Sequence, residues 1–126
     1  MTAGIPPKVV AAGEGKTVML FGVRFGYKVV SGDSGGRLAV LEVEIPAGTL
    51  VKPRGTAHAV WNAGSTPATV TEILCPAGLE EYFEKLAPIL AAHRPASEYY
   101  QLAEDYGITI QNDWIEELER TYGVKL

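Results

Sequence analysis

Residues 42–62 read EVEIPAGTLVKPRGTAHAVWN, and this stretch decides the fold. Leu41, Val43 and Ile45 alternate with Glu42 and Glu44, the period-two pattern of a strand with one wet face. Pro46-Ala47-Gly48 closes that strand. Thr49 to Lys52 reads as a short strand, and Pro53-Arg54-Gly55 as a turn, with proline supplying a fixed φ and glycine its tolerance. Thr56 to Asn62 reads as a further strand, with His58, Val60 and Asn62 on one face. His58 is one of two histidines in the chain.

Upstream, strand signals come in quick succession. Val18 to Phe21 is a short apolar run ended by Gly22, and Phe25 to Val30 is rich in aromatic and β-branched residues. Ser31 to Gly36 is a turn cluster. Residues 1–16 are rich in Gly, Pro and Ala and read as an extended entry segment. Gly15-Lys16-Thr17 there imitates the end of a phosphate-binding loop, but Val10 stands where that motif needs a glycine, and a strand follows instead of a helix.

Downstream, the turn at residues 63–66 and the run Pro67 to Cys75 predict a hairpin. A four-residue loop sets Asn62 opposite Pro67, Val60 opposite Thr69 and His58 opposite Thr71. A slip of one residue would bring Glu72 to the His58 face instead. About six short strands with turn chemistry between them are the signature of an antiparallel sandwich or barrel. After Pro76-Ala77-Gly78 the period changes. Leu79, Tyr82, Phe83 and Leu86 form one helix face, which Pro88 is expected to end or kink. Ser97 is a cap for a second helix, with Tyr99, Leu102, Ala103 and Tyr106 inward and Gly107 past its end. Ile108 to Gln111 is extended. Asp113 and Glu116 resemble a capping box for a third helix, with Ile115, Leu118 and Tyr122 inward and Gly123 as its stop.

Composition bounds the function. The chain has 126 residues, 47% of them hydrophobic, and a net charge of −4, which fits a folded domain with no basic stripe for nucleic acid. No apolar run approaches the roughly 20 residues of a membrane span, and the N-terminus lacks a signal-peptide layout, so a cytoplasmic location is the expectation. Cys75 is the sole cysteine. It excludes an internal disulfide or a thiolate zinc cluster and reads as a small buried apolar group.

His58 is the first candidate for chemistry, but a metal site wants three or four ligands, and a lone histidine is most simply hydrogen-bonded within or at the rim of a sheet. His93 follows a helical run, where a cation interacts well with the helix dipole. Phe25, Tyr27 and Trp61 suit either an apolar pocket or the core.

Gly48 followed by Pro53-Arg54-Gly55-Thr56-Ala57-His58-Ala59-Val60-Trp61-Asn62 resembles the second motif of the cupin superfamily, G(x)5PxG(x)2H(x)3N. The spacing from the proline to the asparagine matches in full, while four residues separate Gly48 from Pro53, one fewer than the motif has. Phe25 to Gly36 and Leu38 to Gly48 look like the entry strands of small quercetin-dioxygenase-like cupins. Cys75-Pro76-Ala77-Gly78-Leu79-Glu80-Glu81-Tyr82-Phe83 is similar to their step into C-terminal helices, and Glu104 to Ile108 to a late helix end. The likeness covers most of residues 18–110, with the helix from Trp114 as an addition. The family's first motif, which supplies two histidines and a glutamate, is absent. His58 is then the only residue that matches a family ligand position.

The resemblance implies a mainly β fold: a shortened cupin-like jelly-roll sandwich or partial barrel with C-terminal α-helices. Residues 1–78 would form the cupin-like β domain and residues 79–126 a helical extension packing on it. The implied function is a cupin-like protein without its own metal site: no catalytic residue, no cofactor, and a role as a small-molecule-binding or interaction module. His58, Val60, Asn62, Phe25 and Tyr27 are its ligand-pocket candidates, for a small apolar ligand. The alternative is a metal-dependent cupin dioxygenase or isomerase, with a divalent transition metal held by His58 and groups from a partner chain. Too few strands leave sheet edges exposed, so a homodimer that shares sheets is expected.

Overall fold

In the computed structural model, the described residues are 9–48, 50–51 (backbone only) and 59–125. Strand β1 (Thr17–Leu20) turns into β2 (Val23–Val29) at Phe21-Gly22, both with positive φ. That is the conformation a two-residue hairpin needs to match strand twist. A one-turn helix, α1 (Ser31–Ser34), occupies the predicted turn cluster. Asp33 folds back on its start, its carboxylate accepting from the N–H of the N-cap residue Val30 at 3.0 Å. Strand β3 (Ala39–Ile45) follows, and then the short strands β4 (Leu50–Val51) and β5 (Val60–Trp61). After β6 (Ala68–Leu74) the chain is helical: α2 (Leu79–Ala91), α3 (Ala96–Asp105) and α4 (Ile115–Tyr122).

Four strands form one antiparallel sheet in the order β1-β2-β3-β6, and β4 pairs with β5 in a separate two-stranded ladder. The alternation read at residues 41–45 holds: Leu41, Val43 and Ile45 are buried, Glu42 is half-buried and Glu44 exposed. The same face of the sheet carries Leu20, Val23, Phe25 and Tyr27. Leu79, Tyr82 and Leu86 of α2 and Ala103 of α3 close over it in one shared core.

This arrangement corrects the expected mainly β sandwich or partial barrel. Helical residues outnumber strand residues among those described, and the fold is mixed α and β. A sandwich needs a second sheet to bury the first. Here the second layer is α2 and α3, whose apolar stripes supply the burial. The predicted hairpin is also corrected over its described residues, 59–75, while residues 56–58 lie outside them. β6 pairs with β3, from Ala39↔Leu74 to Ile45↔Ala68, and β5 pairs back onto β4. Asn62 explains the choice. Its carboxamide donates to the Ile45 carbonyl at 3.0 Å and to the Thr66 carbonyl at 2.8 Å, while its oxygen accepts from the Gly64 N–H. The side chain therefore ties the loop to the end of β3, and the chain leaves it alongside β3.

The helices depart from expectation at their ends. Pro88 neither ends nor breaks α2, which runs on to Ala91. Pro88 is exposed, so water can satisfy the carbonyl that a missing N–H would have bonded. α3 begins at Ala96 with Pro95 before it, so Ser97 is inside the first turn. The N-cap of α4 is Trp114, with no side-chain capping bond from Asp113. Gly107 and Gly123 follow their helices with positive φ, as read. Ile108 and Ile110 pack on the core without forming a strand. Cys75 is exposed, against the expectation of burial: it sits beyond the end of β6, outside the sheet's apolar face.

Candidate functional site

The sequence-derived candidates fall in different places. His58 lies outside the described residues, as do Pro53, Arg54 and Gly55. Phe25 and Tyr27 point into the core from β2. Phe25 packs on Phe83 with ring centroids 4.7 Å apart, and the Tyr27 hydroxyl bonds to the Glu80 carbonyl. Val60 is in the small ladder, paired with Val51 and 38% exposed. Asn62 is half-buried and occupied by the three hydrogen bonds described above. So Phe25 and Tyr27 belong to the four-stranded sheet, and Val60 to the other one. Among the described residues, no three His, Cys, Asp or Glu side chains converge as a metal set would.

Among the described residues the most buried charge is Glu80, at 1% exposure. One carboxylate oxygen accepts from the Ser31 N–H at 2.8 Å and from the Ser31 hydroxyl; the other accepts from the Gly78 N–H at 2.7 Å. Burial alone would push this carboxyl up. The hydrogen bonds outweigh it and bring the group below its ordinary value. The site joins the first turn of α2 to α1, and its acceptor capacity is spent on that joint. Sequence reading missed it, because a glutamate in a first helical turn is expected to face water. The one signal was its company: a Gly-then-helix start and a Ser-rich turn.

A second polar group sits on the sheet's outer face. Arg24 and Lys28 of β2 flank Glu42 of β3, with N···O distances of 3.7 and 3.8 Å. Together they hold the entry segment. Arg24 donates to the Gly13 carbonyl at 2.8 Å, and Lys28 donates to the carbonyls of Ala11 and Glu14 at 2.6 and 2.7 Å. Glu42 accepts from the Gly13 N–H. These charges are used to lay residues 11–14 across the sheet.

The remaining candidate is backbone. The sheet has two edges. β1 is four residues long and braced to α2 by a Lys16–Glu84 ion pair. β6 is seven residues long, pairs with β3 without a bulge, and among the described residues no strand lies along its outer side. Thr69, Val70, Thr71 and Ile73 are exposed, Val70 by 40% and Ile73 by 65%. The strand contains no proline or lysine, two residues that blunt an edge, and its one charge is Glu72, opposite Leu41 on the core-facing side. No helix among the described residues is long and apolar enough to cross a membrane. Comparison with protein-family models, with curated proteins and with solved structures finds no match to this chain.

Proposed function

We propose that the chain is a non-catalytic, cupin-related interaction module whose working surface is the outer edge of β6 around Val70. The observation that carries this reading is a seven-residue, unbulged edge strand with exposed β-branched side chains. Such an edge offers main-chain N–H and C=O groups to an added strand, which gains affinity from the ladder and specificity from alternate side chains. The likeness of Pro53 to Asn62 to the second cupin motif, without the ligands of the first, supports the non-catalytic part. A cytoplasmic setting suits a chain whose one cysteine is exposed and unpaired.

Hydrogen exchange tests the reading. At high protein concentration, amides on the outer side of β6 between Thr69 and Thr71 exchange more slowly than those of the loop at residues 63–66. Equal rates in the two segments, at every concentration, would overturn it. Elemental analysis checks the non-catalytic part: purified protein carries far less than one transition metal per chain, and one per chain would contradict it.

A further inference from the structure

We infer that residues 11–14 form a strap over the outer face of the sheet, latched by Arg24, Lys28 and Glu42, which opens as a unit while the sheet stays folded.

The segment buries nothing apolar that would hold it. Ala11, Ala12, Gly13 and Glu14 are all exposed, and Val10, although half-buried, lies outside the core cluster. Among the described residues, its ties to the sheet run through three charged side chains and end on its main chain. Arg24 reaches the Gly13 carbonyl, Lys28 reaches the carbonyls of Ala11 and Glu14, and Glu42 takes the Gly13 N–H. Glu42 Oε1 is their common centre: it lies 3.2 Å from the Gly13 nitrogen, 3.7 Å from Arg24 Nη1 and 3.8 Å from Lys28 Nζ. Lys28 is the most covered of the three, at 14% side-chain exposure, and bonds two carbonyls, so it is the main latch. Segments with few buried apolar contacts and solvent-facing hydrogen bonds are those that open below the global unfolding free energy.

The backbone sets where the strap parts from the sheet. Within the strap, the Glu14 N–H bonds to the Ala11 carbonyl at 3.0 Å, and the Glu14 carboxylate accepts from the Ala11 N–H at 3.3 Å. The turn is therefore closed on itself. Just after it, Gly15 lies so close to the Tyr27 carbonyl that a Cβ would collide, and the Lys16 carbonyl accepts from the Tyr27 N–H at 2.7 Å. The hold on the chain changes there from strand pairing to side-chain latch, which makes Glu14–Gly15 the hinge. Gly26 makes the latch fit. It stands on the outer face opposite Glu42, and a Cβ there would lie 3.7 and 3.8 Å from the two terminal guanidinium nitrogens of Arg24. Arg24 thus folds along the sheet over Gly26 on its way to Gly13, and a branched side chain at residue 26 would stand in its path. Closed, the cluster spends its charges on main-chain groups. Open, it presents two cations and a carboxylate on the outer face of β2 and β3.

Native-state amide exchange on the full chain tests this, with Gly13 reporting on the strap and Tyr27 on the sheet. In the parent, Gly13 is protected, but less than Tyr27 and without dependence on low urea, because a local opening exposes little surface. Lys28→Met speeds exchange at Gly13 about tenfold, the loss of a charged donor to partly exposed carbonyls. Tyr27 protection is unchanged and the melting temperature is not lowered. Gly26→Val does the same with every charge in place and a strand-forming residue added. An unprotected Gly13 in the parent shows that no latch holds and overturns the inference. So does a Gly13 amide that shares the protection and urea dependence of Tyr27, or a variant in which the two fall together, since strap and sheet are then one cooperative unit. Unchanged Gly13 protection in either variant overturns the latch.

Discussion

The hydroxyl of Tyr27, in the middle of the sheet, donates a 2.8 Å hydrogen bond to the backbone carbonyl of Glu80 in the first turn of α2. Burial, and then the nearby Glu80 charge, push the phenol far above its ordinary value, so it stays a neutral donor wherever the protein is folded. The bond ties the helical layer to the strand layer. Tyr27→Phe keeps the ring and its packing but removes the tie to a carbonyl that the helix also bonds. The expected cost is about 0.5–1.5 kcal/mol, read as a lower urea midpoint with an unchanged slope. An unaltered midpoint would show that water replaces the hydroxyl.

Glu80 gives the fold an acid limit. Its folded-state pKa is depressed, so its contribution is complete above the ordinary carboxylate range of the unfolded chain. It is lost as pH falls through the folded value. Glu80→Gln places an NH2 donor among three donors. It should cost about 2–3 kcal/mol at neutral pH and flatten the acid decline, with the parent and variant curves converging at low pH. Urea titrations across a pH series check this. Parallel curves would assign the acid decline to other groups.

His93 closes α2 in a left-handed conformation, with φ 50°. Its N–H reaches the Leu90 carbonyl and the Arg94 N–H reaches the Ile89 carbonyl, the paired bonds that usually call for glycine. His93→Gly should stabilise the protein by about 0.5–1 kcal/mol, since the relieved strain exceeds glycine's entropic cost. A loss in melting temperature would mean that the imidazole makes a compensating contact. Phe21, with φ 51° beside Gly22, invites the same test. Phe21→Asn creates the favoured Asn-Gly hairpin turn and should raise the melting temperature while removing an exposed ring.

Local patterns were the legible part of this fold. The alternation at Leu41, Val43 and Ile45, the helical stripe of Leu79, Tyr82 and Leu86, and the stops at Gly107 and Gly123 each follow from a period or a backbone preference that the residues carry themselves. Long-range choices were not legible. The turn residues at 63–66 point to a hairpin with the neighbouring strand, yet β6 joins β3, because the Asn62 side chain bonds to Ile45 and fixes the exit of the loop. A sandwich was expected from the strand count. What decided otherwise was which layer covers Phe25 and Tyr27, and that depends on α2 docking through Glu80 and Ser31, residues 49 apart in sequence. Of the candidate site, Asn62 turns out to shape the chain, and Phe25 and Tyr27 sit in the core.

The entry segment offers a paired test of backbone packing. Gly15 has φ +102°, and a Cβ there would lie 2.4 Å from the Tyr27 carbonyl oxygen and 3.3 Å from a Val10 methyl. That carbonyl cannot retreat cheaply, because the Tyr27 N–H is held by the Lys16 carbonyl at 2.7 Å and Tyr27 is registered against Leu41. Gly13 also has positive φ, but a Cβ there meets nothing within 4 Å. Gly13→Ala should therefore cost only the left-handed strain, about 1 kcal/mol. Gly15→Ala should cost about 2–4 kcal/mol, strain plus collision. Because residues 11–14 are held by Arg24, Lys28 and Glu42, the collision should also loosen that segment, seen as faster amide exchange at Gly13 in Gly15→Ala. Equal costs for the two variants would show that the entry segment shifts to make room, and that its polar contacts with the sheet do not hold it in place.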